Sequence, residues 1–467
     1  MTHEKNVKKL TLFTLTWPIF IEVLLHMLMG NADTLMLSQY SDEAVAAVGV
    51  ANQILSVIIV MFGFIATGAA ILVAQNLGAG KPKEAGAISV TSLSVNLWFS
   101  LLLSFGLFLF SEPILAVMAL PAQLMGEAVD YMNIVGGLIF VQALLMTAGA
   151  ILRSYGHTKD TMYVTIGMNI VNVIGNYIVI FGPFGLPVFG VQGVAVSTAV
   201  SRGLGFIVLF LLLVKRVSSS LPWTALYRYE IKHIKSLLNI GIPSAGEQLS
   251  YNASQMVITY FVAQMGATAL TTKVYAQNLM MFIFLFSVAI GQGTQILIGH
   301  HIGAKETERA YRQCMRSLKL AIAVSIVVAV VFYFSSDILL GLFTDDPLII
   351  ASGGTLLLLS ILLEPGRAFN LVVINSLRAA GDVRYPVVIG ILSMWGVQVT
   401  IAWLLGLPLS YGLIGIWIAF IVDEWLRGLL MLRRWRGRTW HKKSFVHQEK
   451  QDTALKKKKP CIKKPVL

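Results

Sequence analysis

The sequence predicts an all-α polytopic membrane protein, with twelve transmembrane helices in two six-helix lobes. A parallel internal repeat relates the lobes, which places a pseudo-twofold axis along the membrane normal. Three observations predict this. Hydrophobic residues make up 56% of the 467 and charged residues 13%, against about 25% charged in a soluble domain. Apolar segments of roughly 20 residues or more, long enough for about 30 Å of hydrocarbon, recur along the chain. The second half repeats the first at one constant offset. Together these exclude a soluble enzyme, a disordered chain and a disulfide scaffold. The two cysteines, Cys314 and Cys461, suggest neither a disulfide framework nor a metal cluster.

The spans fall at about 12–38, 44–75, 87–111, 127–152, 161–181 and 190–214, then 237–264, 269–300, 312–336, 348–377, 384–407 and 411–432. The start of the chain carries Lys5, Lys8 and Lys9 and then turns apolar, as a signal peptide does. The apolar stretch runs on past Ala32, too far for a cleaved leader, so it reads as an uncleaved first span.

Loop charge sets the orientation. Alternate loops hold Lys81 and Lys83; Arg153 and Lys159; Lys215 to Lys235; Lys305 to Lys319; and Arg378 and Arg384. The intervening loops hold Asp42, Glu43, Glu112, Glu127, Asp337, Asp345 and Asp346, with Lys273 the one basic residue nearby. The positive-inside rule then makes both termini cytoplasmic and predicts a multi-pass protein of the cell membrane. The net charge of +13 is carried largely by these loops and by the tail with Lys456–Lys459, so topology and lipid contact explain it without nucleic acid.

A shift of 225 residues superimposes the halves. Pro18 meets Pro243, Glu22 meets Glu247, and Gly68 meets Gly293. Gly78-Ala79 meets Gly303-Ala304, Leu152-Arg153 meets Leu377-Arg378, and Gly156 meets Gly381. Six spans per half preserve orientation. The division is a cytoplasmic N-terminus at 1–11, lobes at 12–214 and 237–432, a linker at 215–236 on the cytoplasmic surface, and a lipid-facing disordered tail at 433–467. A monomer is expected.

Ionisable residues inside hydrocarbon are costly and mark candidate sites. Asp33 lies in the outer half of span 1 and aligns with Ile258 in the repeat. Asn172 and Asn176 share one face of span 5 and align with Val397 and Ile401. Asn169 extends their stripe, and Thr198 in span 6 adds a hydroxyl. A carboxylate, amides and a hydroxyl make an oxygen-rich ion-coupling set for Na⁺ or H⁺; no other metal and no cofactor is indicated. Asn side chains that merely bond neighbouring helices are the plainer reading. Glu22 lies 11 positions before Asp33, three turns and about 20° along the helix, so both share a face with His26 near it. Glu22 and Glu247 should face the space between lobes and act on substrate or gating. Pro18, Pro243 and Pro365 are candidate helix bends. Glu364 and Arg367 are three apart and can pair, with gating around Pro365-Gly366 as the alternative. Arg202 aligns with Arg427, which favours a structural role for both.

Several motifs resemble the multidrug and toxic compound extrusion (MATE) family: Trp17-Pro18 with Asn31-Ala32-Asp33-Thr34; Ala74-Gln75-Asn76-Leu77-Gly78-Ala79-Gly80; and Leu152-Arg153-Ser154-Tyr155-Gly156 with its repeat Leu377-Arg378-Ala379-Ala380-Gly381-Asp382. The resemblance covers about residues 12–432. It implies secondary active efflux of amphipathic, often cationic, organic compounds by antiport with H⁺ or Na⁺, through two lobes that alternate between outward-open and inward-open. It points to the same Asp33 and span-5 set. This sequence departs from the family where Asn176 replaces an Asp, leaving one carboxylate and room for H⁺ coupling. It departs again at Tyr251, eight after Pro243, where many members are acidic. The chief alternative is a lipid-linked saccharide or lipid flippase of the same wider superfamily, disfavoured by few basic residues at membrane depth. A receptor or membrane-embedded enzyme is disfavoured by the duplication. No GxxxxGK[ST] loop and no HExxH motif occurs, so no enzyme activity is expected.

The orientation has a direct check. Asp42→Cys and Asp345→Cys should react with a membrane-impermeant maleimide on intact cells. Lys81→Cys and Lys305→Cys should react only after permeabilisation. The reverse pattern would overturn the topology.

Overall fold

A computed structural model describes residues 10–118, 120–217, 221–222 and 230–446, apart from the Phe184 side chain. Residues 218–220 and 223–229 of the linker expected at 215–236, and the basic run Lys456–Lys459, lie outside these residues.

Every regular element among the described residues is helical. Twelve long helices follow in order: α1 (Leu12–Ser38), α2 (Asp42–Gly78), α3 (Pro82–Leu109), α4 (Ala122–Gly136 continuing as Ile139–Ser154), α5 (Thr158–Phe181) and α6 (Gly190–Val217). The second lobe holds α7 (Ile231–Gln264), α8 (Ala267–Gly303), α9 (Thr307–Phe334), α10 (Pro347–Ala379), α11 (Arg384–Gly406) and α12 (Gly412–Arg436). Short helices at Ser111–Val117 and Ser336–Gly341 follow α3 and α9. Among the described residues nine helices are long and apolar enough to cross a membrane, and bent α4 makes a tenth. The other two, α7 and α12, are long enough, at 34 and 25 residues, but carry more polar and charged residues.

The two 37-residue helices, α2 and α8, form the spine between the lobes. Their crossing is made of small residues. A Cβ on Gly78 would stand 2.0 Å from the His300 carbonyl oxygen, and one on Gly303 would stand 1.9 Å from that of Gln75. Residues 75 and 300 are repeat mates, so the contact is self-complementary about the pseudo-axis. Gly299 packs on its own mate, Ala74. Further along, Gly68 receives α7 at Leu237 and Gly293 receives α1 at Leu12, Leu15 and Thr16. Backbones approach this closely only where side chains are missing.

These contacts close one end of the molecule, the end that carries both described chain ends. Leu237, Ile240 and Val383 join a core cluster of the first lobe there. Leu15 and Ile19 of α1 pack with Ala289, Ile296 and Leu297 of α8. Toward the other end each lobe has a separate core, one built from residues between Leu37 and Ala195 and one from residues between Ile258 and Phe420. The lobes therefore meet at the termini end and part toward the opposite end.

Helices α1, α7 and α10 continue through Pro18, Pro243 and Pro365 as helix. The irregular turns lie elsewhere, as π-turns at Met132–Gly136 and Met394–Val399, and α4 bends by 41° at the first. The stretch after α12 is not a loose tail up to Val446. Trp440 stacks on Trp435 at 4.1 Å, both fully buried. Lys443 and Arg434 hold Asp382 at 2.7 and 2.8 Å. The Phe445 N–H donates to Gln75 Oε1 at 3.1 Å, while Gln75 Nε2 donates to the Ala379 carbonyl at 2.7 Å. This strap ties the two lobes together beside the glycine crossing.

The crossing yields a prediction. Gly303→Val should lower stability in detergent by about 1–3 kcal/mol through overpacking. Gly106→Val, which meets nothing within 4 Å, should leave the melting temperature unchanged.

Candidate functional site

Where the lobes part, they enclose a cavity of about 910 Å³. Its walls come from α1, α2, α4, α5 and α6 of the first lobe and from α8 and α10 of the second. Glu22, His26 and Asp33 all line it, as expected for one face of α1.

At the Asp33 level the ion-coupling set comes together. Asn176 Nδ2 donates to Asp33 Oδ1 at 2.6 Å. Asn172 Nδ2 donates to Thr198 Oγ1 at 3.3 Å. Asn172, Asn176 and Thr198 are fully buried. The amide oxygens of Asn172 and Asn176 are buried without a hydrogen-bond partner. A carboxylate and two unspent amide oxygens are a set of acceptors awaiting a cation or a donated proton. Asn169 does not join: its amide donates back to the Thr165 carbonyl of its own helix.

Nearer the closed end stand two ion pairs related by the repeat. Arg153 Nη1 donates to Glu22 Oε1 at 2.5 Å, and Thr161 Oγ1 donates to Glu22 Oε2 at 2.8 Å. Arg378 pairs with Glu247 in the equivalent place. Arg153 and Arg378 read from sequence as loop charges. Each lies at the last turn of its helix, where the Cα–Cβ bond tilts back along the chain and carries the side chain inward. Glu247 itself is held behind Arg378, which lines the cavity. The cavity wall thus bears three arginines, Arg153, Arg202 and Arg378. This corrects the expectation of few basic residues at membrane depth.

The other candidates sit elsewhere. Tyr251 and Arg367 line a second cavity of about 250 Å³ inside the second lobe, with Gln398 and Glu424. Arg367 Nη1 donates to the fully buried Glu364 at 2.9 Å and lies 4.5 Å from the Phe284 ring centroid. Glu364 and Arg367 are therefore paired, and Glu364 does not reach the main cavity. Beside them Arg427 binds Asp423 at 2.7 Å and Glu424 at 2.9 Å. Ser393 Oγ donates to Asp423 at 2.5 Å and Asn370 Nδ2 to Glu424 at 2.8 Å. Sequence reasoning passed over Asp423 and Glu424. Their spacing of four and three residues before Arg427 was the available signal.

Comparison with known proteins agrees with this architecture. A family model described as MatE matches residues 18–178 and 243–404, two stretches whose starts are 225 residues apart. The chain is 55% identical over 439 residues to the uncharacterized transporter YisQ of Bacillus subtilis (strain 168), covering 94% of this chain and 96% of that one. It is 26% identical over 442 residues to the probable multidrug resistance protein NorM of Thermotoga maritima, covering 94% of each. A crystal structure of a Vibrio cholerae MATE transporter superimposes with a TM-score of 0.85 at 20% identity, over 92% of this chain and 97% of the other.

A double-mutant cycle tests the inner ion pair. Arg153→Met alone should cost about 3–5 kcal/mol, because Glu22 is left charged and buried. Glu22→Gln with Arg153→Met should cost clearly less than the sum of the single changes. Additive losses in detergent unfolding would mean that the pair is not coupled.

Proposed function

Since the chain belongs to the MatE family, whose members are membrane transporters, we propose that it is a secondary active efflux transporter that expels amphipathic organic compounds in exchange for H⁺ or Na⁺. The observation that carries this reading is the Asp33–Asn176 contact on the wall of a cavity between two lobes closed at one end. We take the closed end as cytoplasmic, from the loop charges, and the parted end as facing outward.

In this reading Asp33 is the switch. An ion arriving from outside neutralises the carboxylate and satisfies the amide oxygens of Asn172 and Asn176. The drug then loses an electrostatic partner, and the outward face is free to close. One carboxylate against neutral amides favours H⁺, because Na⁺ is better held by more than one negative ligand. Glu22 and Glu247, tied to Arg153 and Arg378, act as gate struts between the cavity and the closed end.

Three arginines on the wall raise the flippase alternative, since such proteins grip phosphate. Two of the three are already neutralised by Glu22 and Glu247. That leaves too little positive charge for a lipid diphosphate, and drug efflux is the better reading.

The test is dye flux in proteoliposomes under separately imposed H⁺ and Na⁺ gradients. The wild type should move dye under one gradient, and Asp33→Asn should abolish the coupling. Asn176→Ala should lower flux about tenfold, the scale of one lost hydrogen bond to a charged group. Undiminished gradient-driven flux in Asp33→Asn would sink the assignment.

A further inference from the structure

The closed end carries ties of two kinds between the lobes. One kind is symmetric. Gln75 Nε2 donates to the Ala379 carbonyl at 2.7 Å. Its repeat mate His300 donates through Nε2 to the carbonyl of Ser154, the mate of Ala379, at 2.9 Å. These two bonds belong to the frame around the glycine crossing. The other tie is the strap after α12. Among the described residues the strap bonds Gln75 and not His300.

The strap changes lobes between Lys443 and Ser444. Up to Lys443 it is fixed to the second lobe. Arg438, at φ +54°, pairs with Glu308, and Trp440 stacks on Trp435. Lys443 Nζ donates to Asp382 at 2.7 Å, and a Cβ on Gly381 would stand 2.0 Å from the Lys443 carbonyl oxygen. From Ser444 onward the contacts are with the first lobe. Ser444 Oγ and the Phe445 N–H both donate to Gln75 Oε1, at 3.3 and 3.1 Å. The Phe445 ring packs against the first-lobe core. Val446 is buried and joins Gly78–Lys81 and Gly303–Lys305 around a hollow of about 400 Å³ over the crossing. The lobes cannot part here while 444–446 stay seated. The seat is one glutamine oxygen and two apolar side chains, against a base of two fully buried tryptophans. The tip is therefore the part that lets go.

Seating also hides what a membrane surface would bind. Phe445 and Val446 are covered, and Lys443 is spent on Asp382. Released, they offer two apolar side chains and a cation, the pattern that favours an anionic lipid interface. Residues 447–467 add seven lysines, four of them at Lys456–Lys459, against Glu449 and Asp452. Ten residues from Val446 to Lys456 span at most about 35 Å, enough to pass two helices at about 10 Å spacing. Lysines held at the leaflet keep the tip close to it and raise its local concentration there. A ligand moves an equilibrium only toward the state it binds better, and anionic lipid gains three side chains on release.

We propose that Ser444–Val446 is a latch on the cytoplasmic end, and that anionic lipid, bound by the basic tail and the freed tip, releases it. Gln75 is its catch. The proposal rests on the alternation that the efflux reading requires, and adds what governs the inward-opening step.

Spin labels at Lys83→Cys and Thr307→Cys, in full-length Cys461→Ser protein, test it without any substrate. The protein is placed in nanodiscs of phosphatidylcholine alone, or of phosphatidylcholine and phosphatidylglycerol in equal parts. The ratio of long to short distances should rise about fivefold with phosphatidylglycerol, the worth of one lysine at an anionic leaflet. Phe445→Ala should raise the ratio already in phosphatidylcholine. Replacing Lys456 to Lys459 by Gln should blunt the lipid response. A ratio equal in both lipids overturns the proposal. So does a Phe445→Ala protein of wild-type melting temperature with an unchanged ratio, or a full lipid response from the Gln variant. A second arm pins the tip: Lys81→Cys and Val446→Cys, in Cys461→Ser protein without the spin-label cysteines, bridged by a short bis-maleimide, should stop gradient-driven dye flux. Flux at the unbridged rate through bridged protein would show a static brace and no latch. If no dye moves in any protein while the distances respond to lipid, the efflux reading fails and the latch stands.

Discussion

The crossing of α2 and α8 at Gly78 and Gly303 is the constraint on which the rest depends. It is a backbone-on-backbone contact about a pseudo-twofold axis, so each lobe presents the same surface to the other. Every other contact between lobes is arranged around it. Helix α1 leans on α8 as α7 leans on α2. Gln75, one turn before Gly78, receives the strap that follows α12. With closure concentrated at one end, the lobes separate toward the other, and the cavity is the space left between them.

Duplication also sorts the polar residues. Those present in both halves hold the lobes together internally: Glu22 with Arg153, and Glu247 with Arg378. Those present in one half alone face the cavity or a private network. Asp33, Asn172 and Asn176 have apolar mates, and they meet at the cavity wall. Asp423 and Glu424 have Thr198 and Ala199 as mates, and they pair with Arg427. A symmetric frame supplies rigidity. Asymmetric side chains set on it supply chemistry, because a site that must bind an ion and a ligand in turn cannot have two equal copies competing for each.

Much of this was legible in the sequence, and the rest was not for physical reasons. Hydrophobic length and the constant offset identified twelve helices and two lobes, since both are periodic properties of the chain. The Asp33 set was legible because an acid in an apolar run is costly anywhere. Arg153 and Arg378 were misassigned to loops, since a count by position ignores which way a long side chain leans. The π-turns at Met132–Gly136 and Met394–Val399 carry no residue signature. The strap from Arg438 to Val446 is short and aperiodic, and its partners Gln75, Ala379 and Asp382 are distant in sequence.

The central claim is that one cavity is closed at the termini end and opens alternately at either end. Spin-label distances across the lobes test it most directly, with Gln39→Cys and Gln264→Cys at the far end and Lys83→Cys and Thr307→Cys at the termini end. Gln39, Gln264 and Lys83 are exposed and Thr307 is half-buried. The account predicts that a change of pH, or of Na⁺ if that is the coupling ion, shortens the first distance and lengthens the second in the same population. Distances that stay fixed at both ends, or that lengthen together, would contradict it.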